Sequence, residues 1–368
     1  MDVVAMILAG GFATRLRPLS YTKPKVLLPI LDKPIIDYIL EAITKLPISN
    51  VILSLRYMAD LVKTHVEKNW RTLENKITYL IEDRPLGDAG PIVLANLKSL
   101  FTDTTILVIN GDVFSNVDLE KVLEFHRKKG GVATVVLVEA KGDLSRFGVA
   151  SLNSDSRITK FIEKPRGLVG RGFVNAGIYV FEPEIIKYLP KKLTCRLKIS
   201  IDLIPKLLEN CDVYGFVHRG YWFDIGTPED YLRANIEALK YYYPNSKIDG
   251  EVDGEVISPC YVGSNVYIGK NSEIGPYTVI LSGVKAEENV RISTSILLGN
   301  VLISRGTYIS EAIVGEGVYI GKWVRIESGA VIGDYTYIGD YVYIGRNVRI
   351  GPHREVLESI YEENKILP

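Results

Sequence analysis

Residues 314–351 read VGEGVYIGKWVRIESGAVIGDYTYIGDYVYIGRNVRIG, and an aliphatic side chain recurs at every sixth position of this run. An earlier run with the same period covers residues 256–298, and glycine follows most of the aliphatic residues in both runs. Hexapeptide periodicity predicts a parallel β-helix, and the aliphatic-glycine form is typical of the left-handed kind. Because the two runs differ in phase by four residues, we expect an irregular turn between residues 298 and 308.

The left-handed β-helix is expected over residues 252–352, and its open end exposes strand edges that require a cap. Residues 353–368 carry apolar side chains on one helical stripe, at Val356, Leu357, Ile360 and Tyr361. That stripe predicts a C-terminal capping helix over residues 353–368. Tyr319 and Tyr337 are eighteen residues apart and are expected to stack outward on one face. Such a row is either ordinary coil stacking or a contact that makes the protein a homo-oligomer through its β-helix.

Residues 1–235 have a different rhythm, in which apolar strand candidates alternate with amphipathic helices. Strands are predicted at residues 3–8, 51–54, 77–81, 106–110 and 132–138, and helices at 34–46, 58–70, 90–100 and 118–129. This alternation predicts an α/β domain with a mixed, mostly parallel Rossmann-like sheet that helices cover on both faces. A helix predicted over 228–243 leads into the linker, residues 236–251, and joins the two domains.

Composition excludes several classes of partner. The 368 residues contain 44 Lys and Arg and 44 Asp and Glu, so the net charge is zero, which argues against a nucleic-acid partner. No apolar run approaches about 18 residues, so we expect no transmembrane segment, no signal peptide and no membrane partner. The three cysteines are widely spaced and form no Cys-x-x-Cys pair, which predicts a reduced, cytoplasmic protein.

The first predicted strand ends at two glycines, in the stretch LAGGFATRLRPL at residues 8–19. Glycines permit a tight turn with exposed N–H groups, and Arg15, Lys23 and Lys25 follow within fifteen residues. Such a loop is suited to binding a polyphosphate. It has neither the Gly-Lys-Ser/Thr end of a P-loop nor the third glycine of a dinucleotide fingerprint.

The pattern Gly-Gly-x-Ala-Thr-Arg-Leu-x-Pro-Leu, followed by Pro24-Lys25, resembles the signature loop of the sugar-1-phosphate nucleotidylyltransferases. The resemblance extends over nearly the whole chain and implies nucleotidyl transfer from an NTP to a sugar 1-phosphate, with release of pyrophosphate. It implies that Arg15 and Lys25 are the catalytic cations that neutralise the phosphates. The fourth loop position, often glycine in that family, is Ala13, so we expect a slightly different loop geometry.

The same resemblance implies that the nucleotide binds to the signature loop, to a base-recognition loop within residues 82–90 and to the end of the strand at 106–110. The implied residues are Leu8, Ala9, Gly10, Gly11, Thr14, Pro85, Gly87, Asp88, Ala89, Asn110 and Gly111. Asp88 stands where the GTP-using pattern has threonine. Its carboxylate either accepts from the guanine N1–H and exocyclic amine or caps the helix that begins at Ala89.

A pair of carboxylates predicts a magnesium site. Asp112 closes a strand within Asn-Gly-Asp, and Mg²⁺ takes one or two carboxylates together with phosphate oxygens. The resemblance implies that Asp224 is the second ligand. Thr227 and Pro228 predict that a helix starts immediately after it, with Thr227 as the N-cap.

Two further motifs resemble the sugar-binding elements of that family: FIEKP at residues 161–165 and NAGIY at residues 175–179. They imply that Glu163 and Asn175 bind the sugar and that Lys164 binds its phosphate. Gly148 is expected to let the sugar approach the backbone.

GTP and mannose 1-phosphate are the expected substrates, because NAGIY and the run YWFDIGTPEDY at residues 221–231 are most similar to the branch that uses this pair. UTP or dTTP with glucose 1-phosphate is the alternative pair. A non-catalytic regulatory subunit that binds an NDP-sugar is an alternative of a different class. Such subunits typically lose a loop cation or a metal carboxylate, whereas all four of these residues are present here.

Overall fold

The computed structural model describes residues 3–100 and 103–368. This part of the chain forms two compact units. The first unit contains residues 3–11 and Ile35–Asp224, and the second contains Phe12–Pro34 and Ile225–Pro368. The segment that follows Gly11 therefore belongs to the same unit as the C-terminal residues.

The elements that precede the β-helix alternate as the apolar periodicity predicts. The strands are β1 (Val3–Ala9), β2 (Pro29–Ile30), β3 (Lys33–Pro34), β4 (Ile48–Leu55), β5 (Ile77–Ile81), β6 (Thr105–Asn110), β7 (Val113–Ser115), β8 (Ala133–Asp143), β9 (Gly148–Leu152), β10 (Ile158–Glu163), β11 (Val169–Phe181), β12 (Val213–His218) and β13 (Trp222–Asp224). The α-helices are α1 (Ile35–Thr44), α2 (Ala59–Asn69), α3 (Gly90–Leu97), α4 (Leu119–Lys129), α5 (Ile204–Asn210) and α6 (Pro228–Tyr242).

The first unit is built on a nine-stranded sheet with the strand order β10-β9-β11-β6-β1-β4-β5, in which β8 pairs with β11 and β12. The centre is parallel, since β1 pairs with β4 and β6 and β4 pairs with β5, whereas β11 runs antiparallel to β6. The side chains of Ala5, Met6 and Ile7 in β1 are fully buried, as their apolar run requires. The prediction of a mixed, mostly parallel Rossmann-like sheet is confirmed.

The second unit contains three parallel sheets of short strands stacked coil upon coil. The first sheet consists of Lys247–Ile248, Cys260–Val262, Thr278–Ile280, Ile296–Leu297, Ile313–Val314, Val331–Ile332, Arg349–Ile350 and Ile366–Leu367. The second consists of Glu251–Val252, Tyr267–Ile268, Lys285–Ala286, Leu302–Ile303, Tyr319–Ile320, Tyr337–Ile338 and Glu355–Val356. The third consists of Glu255–Val256, Glu273–Ile274, Arg291–Ser293, Tyr308–Ser310, Arg325–Ile326 and Tyr343–Ile344.

The inward aliphatic residues of these coils form one buried core. Asparagines with a left-handed backbone occupy several corners between strands, including Asn271 (φ 57°), Asn289 (φ 61°) and Asn347 (φ 56°). Asparagine tolerates this conformation better than most residues. The architecture is that of a left-handed β-helix, as the hexapeptide pattern predicted. Tyr319 and Tyr337 stack with ring centroids 4.9 Å apart and planes at 5°, which confirms their predicted stacking.

The phase change between the two hexapeptide runs has a different origin from the irregular turn predicted at residues 298–308. From Val262 to Val356, the last core residue of each side follows that of the previous side by six positions, except from Ile292 to Leu297 and from Ile309 to Val314, where the spacing is five. The strand pairings accordingly advance by 17 residues instead of 18 across these two sides. Two shortened sides remove two residues, which equals a phase shift of four in a period of six.

The capping helix predicted over residues 353–368 is wrong. Glu355–Val356 instead pairs with Tyr337–Ile338, and Ile366–Leu367 pairs with Arg349–Ile350. Of the apolar residues that mimicked a helical stripe, Val356 lies in the first of these strands and Ile360 forms a parallel bridge with Ile344. The last complete coil presents backbone N–H and C=O groups that require partners, and further parallel strands satisfy them more completely than a helix laid across the end.

Within the described ranges, no helix is long and apolar enough to cross a membrane.

Candidate active site

The two predicted metal ligands lie on neighbouring backbone segments of the first unit. Asp112 lies two residues beyond the buried strand β6, at its carboxyl end. Asp224 is the last residue of β13, and in the antiparallel pairing of β13 with β7 it faces Val113, the neighbour of Asp112. The topology therefore places the backbones of two acidic residues that are 112 positions apart in the chain at the ends of adjacent strands.

These carboxylates fit a hard divalent cation. A protein site of two carboxylates is what Mg²⁺ uses when phosphate oxygens complete its coordination. No group of three or more His, Cys, Asp or Glu side chains that could form a self-sufficient metal cage occurs among residues 3–100 and 103–368. The Asn110 Oδ1 atom, two residues before Asp112, is buried and has no hydrogen-bond partner among the described residues. An unsatisfied buried oxygen at this strand end suits a site that accepts a polar ligand.

A backbone bulge in β11 shapes the floor beside Asn110. The pairing of β11 with β8 shifts register between Asn175 and Tyr179. Asn175 fixes this bulge, because its Oδ1 accepts from the Gly177 N–H at 3.1 Å and its Nδ2 donates to the Tyr179 hydroxyl at 2.7 Å. Gly177 has a φ of 72°, and a Cβ there would lie 2.5 Å from Asn110 Nδ2. The structure thus shows Asn175 as an organising residue; its contact with the sugar stays a prediction.

The bulge is also tied to the strand that carries Asp224. The indole N–H of Trp222 donates to the carbonyl oxygen of Ala176 at 2.9 Å. Trp222 also packs edge-on against Phe147, with ring centroids 5.7 Å apart. The strand that carries Asp224 and the NAGIY motif are therefore directly connected.

Two of the four predicted sugar-phosphate residues, Gly148 and Glu163, lie on the antiparallel pair β9 and β10. Glu163 faces Gly148 in this pairing. A Cβ at Gly148 would lie 2.6 Å from the Phe161 ring and 2.9 Å from Glu163 Oε2, so glycine here makes room for the FIEKP side chains. Lys164 has a left-handed backbone (φ 49°), and its Nζ lies 3.9 Å from Glu163 Oε1.

The base-recognition loop is fastened to residues 197–199. The Ala89 N–H donates to the Leu197 carbonyl at 3.1 Å, and the Leu197 N–H donates to the Leu86 carbonyl at 2.8 Å. Gly87 has a φ of 80°, and a Cβ there would lie only 2.0 Å from the Leu197 oxygen. Pro85, Gly87, Asp88 and Ala89 are therefore held in a defined loop.

Asp88 caps a helical turn, but not the predicted one. Helix α3 has Ala89 as its N-cap, and no side chain caps it. The Asp88 Oδ1 instead accepts from the Ile199 N–H at 2.6 Å, at the start of the turn Ile199–Leu203. Burial raises the pKa of the Asp88 carboxyl, and the Ile199 N–H partly offsets that rise.

Glu82, which directly follows β5, is a residue whose position sequence analysis did not single out. It is 7% exposed, and its Oε1 accepts from the Ser54 hydroxyl at 2.7 Å. Burial raises its pKa. A Cβ at Gly10 would lie 2.6 Å from Glu82 Oε1, so this carboxylate supports the turn of the signature loop. A lone acidic residue after a strand is too common a pattern to have revealed this.

The backbone around the first loop is open on one side. Leu8 faces Asn110 across the pairing of β1 with β6, and the Gly111 N–H donates to the Leu8 carbonyl at 2.9 Å. Ala9 ends β1, and a Cβ added at Gly11 would meet no atom within 4 Å. Gly11 thus leaves backbone accessible where the nucleotide is predicted to bind.

The predicted catalytic cations belong to the second unit. Thr14 and Arg15 lie in the short 3-10 helix Thr14–Leu16, and Lys25 begins the 3-10 helix Lys25–Leu27. Ala13, which precedes the first of these, has the left-handed conformation (φ 48°, ψ 44°) that the family's usual glycine favours. Arg15 lies beside Gly226, where a Cβ would be 3.1 Å from its Nη2.

Helix α6 starts as predicted, with Thr227 as the N-cap. The Thr227 hydroxyl accepts from the Asp230 N–H at 3.2 Å, and Pro228 occupies the first turn. This helix start immediately follows Asp224 in the chain and fixes the residues around Gly226.

Comparison with known proteins agrees with this geometry. The nucleotidyl transferase family matches residues 4–240, and the family described as the GMPPB C-terminal domain matches residues 256–366. The chain is 41% identical over 278 residues to a putative mannose-1-phosphate guanyltransferase of Sulfolobus acidocaldarius, covering 74% of each chain. It is 33% identical to the mannose-1-phosphate guanylyltransferase catalytic subunit beta of Danio rerio, covering 99% of each chain.

A solved structure shares the fold of part of the chain. The structure of HddC from Yersinia pseudotuberculosis complexed with GMP-PN is 32% identical, with a TM-score of 0.53. The match covers 64% of this chain and 99% of that one. Nucleotidyltransferases of this kind typically use a divalent metal ion. From its fold, its motifs and these relatives, the chain belongs to the nucleotidyl transferase family and is an enzyme of that class that carries a β-helix as its second part.

Proposed function

We propose that this protein transfers a guanylyl group from GTP to mannose 1-phosphate, giving GDP-mannose and pyrophosphate in an Mg²⁺-dependent reaction. The observation that best supports the proposal is the antiparallel pairing of β7 with β13, in which Asp224 is opposite Val113, the neighbour of Asp112. The choice of GTP and mannose 1-phosphate is supported by the names of the relatives and by the guanine nucleotide in the HddC complex.

The chemistry explains why the two residues proposed as catalytic are both cations. An oxygen of the sugar 1-phosphate attacks the α-phosphorus of the NTP, the bond from that phosphorus to the bridging oxygen breaks, and pyrophosphate leaves. Two like charges held 4 Å apart repel by about 4 kcal/mol at an effective dielectric constant of 20. Catalysis therefore consists mainly of charge neutralisation and in-line positioning.

The roles of individual residues follow from this requirement. Arg15 grips phosphate oxygens with its planar fork and steadies the leaving pyrophosphate, whereas Lys25 neutralises charge near the α-phosphate. Asp112 and Asp224 hold the divalent cation, which would supply further positive charge to the phosphate oxygens when bound. Glu163 and Lys164 bind the sugar and its phosphate.

The nucleotide contacts are proposed on the first unit. Leu8 to Gly11, together with Asn110 and Gly111, present backbone and amide groups at the carboxyl ends of β1 and β6, where ligands bind in open α/β sheets. The loop from Pro85 to Ala89 contacts the base, and the hydrogen bond from the Ile199 N–H to Asp88 Oδ1 favours a structural role for this carboxylate.

Assembly and location are part of the proposal. The half-exposed Tyr337 ring, stacked on Tyr319, supports a subunit contact on the β-helix, which sedimentation of a Tyr337→Asp variant tests. All three cysteines, Cys195, Cys211 and Cys260, are free thiols, which supports a cytoplasmic location.

The experiment that tests the function is pyrophosphate release with Mg²⁺, measured for four NTPs crossed with the 1-phosphates of mannose, glucose and N-acetylglucosamine. We expect GTP with mannose 1-phosphate to dominate. Dominance of UTP or dTTP with glucose 1-phosphate would replace the substrates but keep the reaction. No release from any pair, with NDP-sugar binding intact, would identify a regulatory subunit instead.

A further inference from the structure

The segment that carries the catalytic cations, Phe12–Pro34, is held along its length by other residues of the second unit. Hereafter we call it the signature segment. Its hydrogen bonds to that unit run from the Arg349 guanidinium to the Arg15 carbonyl, from Thr22 to Asp334, from Lys23 to Glu316, from the Tyr231 hydroxyl to the Pro29 carbonyl, from the Leu31 N–H to Asn235, and from the Tyr261 hydroxyl to Asp32.

The central attachment joins Lys23 to two carboxylates of the β-helix. The Lys23 ammonium pairs with Glu316 and lies 3.6 Å from Asp334 Oδ2. The same Asp334 oxygen accepts from the Thr22 hydroxyl at 2.7 Å, while its other oxygen accepts from the Glu316 N–H at 2.7 Å. The Asp334 side chain is only 4% exposed. One buried carboxylate thus contacts two consecutive residues of the segment and orients the second carboxylate.

The direction of the Lys23 pKa agrees with this arrangement. Burial alone lowers the pKa of an ammonium group, yet the charges of Asp334 and Glu316 outweigh it and raise the pKa of Lys23. Lys23 therefore stays charged at every physiological pH, and its charge is already matched by two carboxylates.

Anchoring Lys23 restrains Lys25, because a single residue separates them. Pro24 has its φ fixed by its ring and is extended here (φ −65°, ψ 144°). The next turn is closed by the Leu27 N–H, which donates to the Pro24 carbonyl at 2.9 Å, and by the Leu28 N–H, which donates to the Lys25 carbonyl at 3.0 Å. Few backbone dihedrals remain free between the anchored ammonium and the Lys25 Cα.

We infer that Lys23 is a positioning residue rather than a phosphate ligand, and that with Asp334 and Glu316 it forms a clamp by which the β-helix sets the position of Lys25. The inference rests on the proposed function, since it takes Lys25 as a cation that acts on the phosphates. Ion pairs taken out of water add little net stability, so positional precision is the better explanation for retaining one here. A misplacement of about 1 Å at a reacting group lowers a rate about 100-fold.

The chain provides a matched control one side further along the β-helix. Asp340 Oδ1 accepts from the Lys322 N–H at 2.8 Å, which is the same coil-to-coil contact that Asp334 makes with Glu316. Asp340→Asn perturbs that contact at an exposed corner. Asp334→Asn perturbs the equivalent contact with Glu316 and also removes the charge that faces Lys23.

The test compares Lys23→Met, Asp334→Asn and Asp340→Asn in the full chain, by steady-state kinetics with GTP and mannose 1-phosphate and by hydrogen exchange of peptides from the signature segment. We expect kcat to fall about 10- to 100-fold in the first two variants, with both KM values changed less than about threefold. Amides of residues 22–28 should exchange faster in these variants, and the Lys23→Met/Asp334→Asn double variant should be no slower than either single one. Asp340→Asn should match the wild type in both measurements.

Wild-type kcat in Lys23→Met would overturn the inference, and so would faster exchange of the segment without any loss of kcat. A raised KM for GTP at unchanged kcat would also overturn it, because that result marks Lys23 as a binding residue. If Asp334→Asn does not fold, Thr22→Val takes the place of that variant, because it removes only the hydroxyl contact to Asp334. Failure of the proposed function would be seen separately, as absence of turnover in the wild type.

Discussion

The Asp88 carboxylate accepts a 2.6 Å hydrogen bond from the backbone N–H of Ile199, which begins the helical turn Ile199–Leu203. The contact joins two loops that are more than a hundred residues apart in the chain. It gives the carboxylate a structural role at the position where the family pattern has threonine.

Asp88→Ala should lower the free energy of unfolding by about 1 to 2 kcal/mol, as loss of a helix cap does. Asp88→Asn retains an oxygen acceptor and should lose much less. Neither substitution should change which NTP is preferred, because the carboxylate is occupied within the protein. Denaturant unfolding and kcat/KM for four NTPs check this. Loss of the preference for GTP in Asp88→Asn would show that Asp88 reads the base after all.

Gly148→Ala should weaken binding of the sugar phosphate. The added Cβ would lie 2.6 Å from the Phe161 ring and 2.9 Å from Glu163 Oε2, so it displaces the carboxylate proposed to bind the sugar. We expect KM for mannose 1-phosphate to rise about tenfold, while KM for GTP changes little. Ser151→Ala, on the same strand, serves as the control. An equal rise in both KM values would indicate a general defect of the sheet instead.

Stability should depend on pH through His126. This residue is 2% exposed, with ring nitrogens 2.8 Å from the Thr134 hydroxyl and 2.9 Å from Glu182 Oε1. Burial lowers its pKa. The unfolded chain therefore binds more protons than the folded one below about pH 6.5, so the free energy of unfolding should fall as pH decreases through that value.

Urea unfolding of the wild type and of His126→Asn between pH 5 and 8 measures this contribution. The substitution is expected to lower stability at every pH because it leaves a cavity, so the comparison concerns the slope. The slope below about pH 6.5 should be smaller in the variant. An unchanged slope would assign the pH dependence to other groups.

Much of the fold could be predicted from the sequence because its signals are periodic. The six-residue repeat identified the β-helix, and the strand-helix alternation identified the Rossmann-like sheet. The two five-residue sides, from Ile292 to Leu297 and from Ile309 to Val314, could not be located from the sequence, because the repeat shows only their summed phase change. The C-terminal strands Glu355–Val356 and Ile366–Leu367 could not be predicted, because a few apolar residues are compatible with a helical stripe as well as with strand pairing.

The candidate site was likewise predictable only in part. Motifs identified Asp112 and Asp224, and the pairing of β7 with β13 places their backbones at the ends of adjacent strands. The contacts from Lys23 to Asp334 and from Asp88 to Ile199 join positions far apart in the chain, and no local pattern encodes them. The signature motif assigns a role to Lys25 but none to Lys23, whereas the contacts of Lys23 with the β-helix indicate a positioning role.

The proposed reaction depends most on Asp112 and Asp224. Its most direct test is pyrophosphate release from GTP and mannose 1-phosphate, measured as a function of Mg²⁺ in the wild type, Asp112→Asn and Asp224→Asn. We predict Mg²⁺-dependent release in the wild type and a loss of at least about 100-fold in kcat for each variant, with thermal unfolding unchanged. Near-normal release from either variant at the wild-type Mg²⁺ requirement would contradict the assignment.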